Sequence, residues 1–231
     1  GKPHIKKFNE TRELSVLFLV DTSASSHFGT VSYLKSEIIT ELTALLSFSA
    51  LSNNDKVGLI LFSDQIEQFS PPRKGRKNTL KILRDILYFE PKGKGTCIEK
   101  AIEFVWKITK KKSVIFIISD FFDKNYEHSL RILSKKHDVV AFRIIDPAEL
   151  KMPDAGILYF QDPETGHRIT VNTSSRKFRE LFQASMVKQT LSLEETFKKM
   201  KIDLLTIKTD QNYIPNLINF FKSRIKRIKR G

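Results

Sequence analysis

Asp21, Ser23 and Ser25 fall at alternate positions in "VDTSASSHFG", directly after the apolar run "SVLFLV". In an extended segment, spacing by two turns side chains to one side, so these three oxygens can converge. The same residue types also make turns and cap helices, so the triplet alone leaves three readings open. Two distant positions narrow them. Asp120 ends the apolar stretch in "IFIISDFFD", and Thr96 follows the glycine-rich loop of "PKGKGTCIEKAI" just before a helical pattern. Singly, Thr96 reads as a helix cap and Asp120 as a turn residue. Together, Asp21, Ser23, Ser25, Thr96 and Asp120 offer only hard oxygen ligands, the inventory that suits Mg²⁺, with Mn²⁺ or Ca²⁺ as substitutes.

The elements that must carry these residues alternate along the chain. Strands are expected over 15–20, 56–63, 113–119, 139–145 and 204–208, mostly continuous apolar runs of the kind buried on both faces of a parallel sheet. Helical spacing occupies 33–51, 78–88, 98–110, 127–136, 176–200 and 214 to about 226. The link "DQIEQFSP" is too short for a crossover and predicts an antiparallel edge strand. The fold class is therefore α/β: a doubly wound, mostly parallel, Rossmann-like sheet with one antiparallel edge strand. Residues 156–173 alternate with period two around turn formers at 162–166 and predict an inserted β-hairpin. With no repeat or low-complexity linker, 1–231 reads as one domain. In such a sheet ligands gather beyond the carboxyl ends of the strands, where Asp21 and Asp120 are expected.

Composition sets the outer bounds. Apolar residues make up 40% and charged residues 29% of 231 positions, an ordinary globular balance. No apolar run is long enough to span a bilayer, no signal peptide is visible, and Gly1 in place of Met suggests that upstream sequence is missing. The single cysteine, Cys97, excludes an internal disulfide and a cysteine-based zinc site and fits a reducing cytoplasm. The formal charge of +14 would favour nucleic acid, anionic lipid or an acidic protein. Its clusters, eight basic residues over 73–94, Lys110–Lys112 and the terminal "KSRIKRIKRG", lie on different elements without interleaved aromatics, which reads as solvated faces and a basic tail.

"DTSAS" with the distant Thr96 and Asp120 resembles the metal-ion-dependent adhesion site of von Willebrand factor type A domains. The likeness extends beyond the site. "ETRELSVLFLVDTSASSHFGT", "GTCIEKAI", "IISDF" and "IIDPAELKMPDAGILYFQDPETGHRITVNT" resemble the bacterial domain-of-unknown-function proteins encoded beside MoxR-type AAA+ ATPases. One departure is Ser26, where that family usually has methionine. The resemblance implies that Ser23, Ser25 and Thr96 give hydroxyl or water-bridged contacts, and that Asp21 and Asp120 hold the ion directly or through water. It also implies a MoxR-type ATPase as partner. Two carboxylates at most balance a divalent ion, so the ion stays electrophilic and can take an acidic side chain of a partner as its last ligand.

Catalytic readings find less support. A haloacid-dehalogenase phosphatase needs a second acid where Ser23 stands, and no G-x-S-x-G elbow is present. A metal nuclease clusters more acids than Asp21 and Asp120. His27 reads as a loop side chain at the rim, Cys97 as a small residue packed under its loop, Trp106 as core and Asp146 as an Asp-Pro turn. The expectation is a non-enzymatic, cytoplasmic, metal-dependent protein-binding module. The alternative is a basic nucleic-acid-binding protein with a purely structural Asp/Ser motif.

Overall fold

The computed structural model describes residues 14–161 and 166–228. Its elements in order are β1 (Ser15–Asp21), α1 (Lys35–Ser52), β2 (Lys56–Phe62), β3 (Ile66–Arg73), α2 (Arg76–Leu87), α3 (Ile98–Ile108), β4 (Val114–Ser119) and α4 (Glu127–Lys136). They continue with β5 (Asp138–Ile145), α5 (Pro147–Leu150), β6 (Ile157–Gln161), β7 (Arg168–Asn172), α6 (Arg176–Lys199), β8 (Asp203–Lys208) and α7 (Ile214–Ile228). The six-stranded sheet has the order β3-β2-β1-β4-β5-β8. All its pairs are parallel except β2 with β3, which is the expected antiparallel edge.

Alternation along the strands builds two cores. Val16, Phe18 and Val20 of β1 face α1 and α7, where Ile38, Leu42, Leu46 and Leu217 are buried. Leu17 and Leu19 face the opposite layer, with Ile98, Ile102 and Val105 of α3, Leu130 and Leu133 of α4, and Phe197 of α6. Both sheet faces are thus covered, which is why the strands read as unbroken apolar runs. On the edge strand, Pro71 and Pro72 lack N–H donors, as suits a strand paired on one side only.

The chain turns from β1 outward to β2 and β3, then returns to add β4, β5 and β8 on the other side. The order therefore reverses between β1 and β4, and the crevice beyond their carboxyl ends is the natural ligand position. β5 ends at that same edge, and from there the chain passes through α5 to the β6–β7 hairpin, paired from Ile157 with Asn172 to Gln161 with Arg168. The turn expected over 162–166 lies, apart from Gly166, outside the described residues, as do 1–13 and the tail positions Lys229 and Arg230. The hairpin is open to solvent, with Tyr159 82% exposed. α6 follows it; Phe197 is its one buried residue, and Leu181, Val187 and Leu191 are exposed.

Three local expectations need correction. The segment after β1 does not stay extended: Ala24–His27 forms a 3-10 turn with Ser23 at its N-cap, so Ser25 reaches the site by a turn. Trp106 is not core. It is 36% exposed, with Lys136 Nζ over its ring at 4.6 Å, because its helix turns that position outward. Arg224 and Arg227 are not a free tail: Arg224 bonds both Asp138 and Asp203, and Arg227 bonds Asp203.

Candidate metal centre at the strand crossover

Asp21 is the last residue of β1 and Asp120 follows β4, so the parallel register brings both to the crevice. A single hydrogen-bonded chain joins the motif. Ser23 Oγ and Ser25 Oγ are 3.1 Å apart, and Ser25 Oγ donates to Asp120 Oδ2 at 2.9 Å. Asp21 Oδ1 accepts from the Ser23 amide at 2.9 Å, and its Oδ2 accepts from Ser119 Oγ at 2.6 Å. Asp120 Oδ1 accepts from the Phe122 amide at 3.1 Å. Phe121, between them, has φ +58, a left-handed conformation rare for a large side chain and a local strain at the rim. Four of the five expected residues thus form one cluster, with Asp21, Ser23 and Asp120 buried and Ser25 half-buried.

Thr96 stands on the loop between α2 and α3, half-buried, and Cys97 rather than Thr96 takes the cap position of α3. The cap bond comes from elsewhere: the Ile98 amide donates to Asp123 Oδ2 at 2.7 Å. The loop is nevertheless fastened to the motif. The Ala24 amide donates to the Lys94 carbonyl at 3.1 Å, and the Cys97 amide to the Ser63 carbonyl at 2.9 Å. Glu67 Oε1 holds the loop from below, accepting from Ser63 Oγ (2.6 Å), the Gly93 amide (2.7 Å) and the Lys92 amide (3.2 Å). These donors outweigh burial and hold the Glu67 carboxyl below its usual range. A side chain on Gly93 would displace Ser63 Oγ and Asp64 Oδ1, so glycine allows this close approach without moving them.

Asp146, read from the sequence as an Asp-Pro turn, and two residues without a sequence signal, Lys35 and Arg143, complete the surroundings. Lys35, the first residue of α1, is buried, with Nζ 2.8 Å from Asp120 Oδ2 and 2.8 Å from Glu149 Oε1. Asp146 caps α5 as an Asp-Pro turn should, and does more. It accepts from the Thr30 amide (2.8 Å), Thr30 Oγ1, Ala148 N (2.9 Å) and Thr209 Oγ1 (3.1 Å), tying the motif loop to the ends of β5 and β8. Arg143 is also buried; its Nε donates to the Asp120 carbonyl at 3.3 Å and its Nη1 to Thr190 Oγ1 on α6 at 3.0 Å.

The electrostatics follow from this packing. Burial, and secondly the Asp120 charge, push the Asp21 carboxyl up to about 6, against the pull of the Ser119 and Ser23 bonds. Burial would lower the Lys35 ammonium, but Asp120 and Glu149 outweigh it and the net direction is up. Among the described residues no three His, Cys, Asp or Glu side chains form a metal-holding group. Any ion here would rest on two carboxylates and the serine hydroxyls. That donor set fits a hard cation: the oxygens are already gathered, and burial beside Asp120 disfavours Asp21 as an anion.

Around the crevice the surface is apolar in patches. Phe28, Val31, Tyr33 and Leu34 of the motif loop are exposed, as are Leu87 and Tyr88, where α2 returns to the carboxyl edge. His27 is exposed at the rim, as expected.

Comparison with known proteins agrees with this architecture. BatB of Bacteroides thetaiotaomicron superposes with a TM-score of 0.59 at 16% identity, over 94% of this chain and 100% of that one. An aerotolerance-related membrane protein of Bacteroides fragilis gives 0.59 at 17% identity, over 85% and 92%. The SpRpn10 VWA domain gives 0.50 at 12% identity, over 90% and 94%. The fold is thus von Willebrand factor A-like. In sequence, the uncharacterized protein Rv1480 of Mycobacterium tuberculosis is 26% identical over 227 residues, 96% of this chain and 71% of that protein. MAV169 of Mycobacterium avium is 28% identical over 159 residues, 67% of this chain and 92% of that protein. The family model described as "Protein of unknown function DUF58" matches residues 1–192, and the chain belongs to that family.

Proposed function

We propose that this protein is a non-enzymatic, Mg²⁺-dependent protein-binding module that acts in the cytoplasm with a MoxR-type AAA+ ATPase in the assembly or maturation of other proteins. The observation that carries the reading is the bonded chain Asp21–Ser23–Ser25–Asp120 at the crossover, with exposed apolar side chains on the adjoining loop. Ser23, Ser25, Asp21 and Asp120 would hold the ion, the two carboxylates supplying the charge, and the ion would supply Lewis acidity toward an acidic side chain of the partner. Phe28, Val31, Tyr33 and Leu34 offer apolar contact on the adjoining loop. Thr96 is the fifth ligand by resemblance, and Glu67 sets its loop. The ATPase partnership rests on the family resemblance. Among the described residues no helix is long and apolar enough to cross a membrane.

Thermal unfolding across a Mg²⁺ or Mn²⁺ titration tests the metal. Saturation at about a hundredfold the Kd should raise the Tm by roughly 5–10 °C. Ser23→Ala with Ser25→Ala should remove that rise while leaving the fold. Pull-down of the purified ATPase should then succeed in Mg²⁺ and fail in EDTA. A wild type whose Tm ignores both ions overturns the metal reading. Binding of nucleic acid that falls steeply with salt and ignores EDTA would replace it by the electrostatic alternative.

A further inference from the structure

Lys35 sits where a lysine is doubly disfavoured. It is 1% exposed, and as the first residue of α1 it lies at the positive end of the helix dipole. Two carboxylates 2.8 Å away compensate, Asp120 and Glu149. The oxygen it touches on Asp120 is Oδ2, the same one that accepts from Ser25 Oγ. Glu149 is itself fixed, since its other oxygen accepts from the Asp146 amide at 2.8 Å in the capping box of α5. The remaining space beneath the motif, between Asp21, Ser25, Lys35, Ser119 and Asp120, is a cavity of about 10 Å³, room for about one water.

We infer that Lys35 is the resident counter-ion of the site, an affinity-setting residue whose ammonium holds Asp120 beside Ser25 when no metal is bound and competes with the metal for it. The inference rests on the metal reading above and deepens it. A divalent ion that engages Asp120 meets a fixed positive charge on the same carboxylate. It must share Asp120 with the ammonium or leave Lys35 to Glu149 alone. Metal binding is thereby weakened in the free protein. A partner's carboxylate adds the negative charge that offsets the ammonium, so ion and partner bind tightly only together.

The test is direct Mn²⁺ binding, followed by the electron paramagnetic resonance signal of the free ion, on wild type, Lys35→Met and Glu149→Gln. Lys35→Met should bind Mn²⁺ tighter by at least about tenfold, and its Tm should be low in EDTA and recover with the ion. Glu149→Gln, which removes the other perch of the ammonium, should bind several-fold more weakly than wild type. If wild type binds and both variants match it within about twofold, Lys35 is a structural ion pair and the inference falls while the metal reading stands. If Lys35→Met alone binds, the inference holds and the metal reading fails for the native protein. If no form binds, both fall. Should Lys35→Met not fold with or without the ion, Glu149→Gln decides: unchanged affinity overturns the inference.

Discussion

Asp21 carries the clearest pH dependence. Its carboxyl is raised from 3.8 to about 6 in the folded protein, first by burial and then by Asp120, so the native state keeps a proton that the unfolded chain has released. Stability therefore falls as pH rises through the window from about 4 to about 6, and the cost of the ionised group is fully present above it. In EDTA, Asp21→Asn should be more stable than wild type above about pH 6.5 by roughly 2–3 kcal/mol and equal to it near pH 4. Saturating Mg²⁺ should reverse the order, since only wild type gains a ligand. Urea unfolding at the two pH values measures it; a difference that ignores pH would contradict the assignment. Asp146 behaves oppositely. Its four donors overcome burial and hold its carboxyl below the usual range, so it stays ionised as a structural anchor.

Two loops share the work of aligning the crevice, and each has one carboxylate that fastens it. Thr30 on the motif loop is fixed by Asp146, and the loop before α3 by Glu67. Asp146→Ala would remove a buried acceptor shared by three segments, leaving the buried Thr209 hydroxyl unpaired, and should cost about 3 kcal/mol in urea unfolding. Glu67→Ala acts at a half-exposed site and should cost only about 1 kcal/mol globally. It should nevertheless speed hydrogen exchange at the Lys92 and Gly93 amides, which lose their acceptor, and weaken Mg²⁺ binding if Thr96 belongs to the ligand set. Unchanged exchange at those amides would remove Glu67 from this role. The split between a large stability effect and a local one distinguishes a buried anchor from a surface latch.

At the scale of the molecule, the charge of +14 is less free than its sum suggests. Arg224 on α7 bridges the amino ends of β5 and β8 through Asp138 and Asp203, with its side chain 11% exposed. Arg224→Ala should cost about 1–3 kcal/mol, below the loss for a fully buried pair. Lys226→Ala, on an exposed position of the same helix, should stay within about 0.5 kcal/mol. Equal effects in thermal unfolding would mean that the arginine contributes only charge. α6, which follows the hairpin, packs against α5 and β8, and its Thr190 accepts from Arg143, so the crevice and this helix share a buried cation.

Much of the architecture was legible along the chain because its cause is local. Continuous apolar strands need cover on both faces, helical spacing supplies that cover, and strand ends at Asp21 and Asp120 follow from where the apolar runs stop. The cluster of Asp21, Ser23, Ser25 and Asp120 was legible too, though by the wrong route, since a 3-10 turn rather than an extended segment delivers Ser25. The remaining contacts depend on separations that no pattern encodes. A lysine opening a helix reads as a solvated charge until the fold sets it between Asp120 and Glu149, 85 and 114 positions away. Asp146 and Thr30 are 116 positions apart, and Arg224 and Asp138 86 apart. Hydrophobic burial is short-ranged in sequence and repeats with the element; the pairing of single buried charges is decided only when packing removes water from around them.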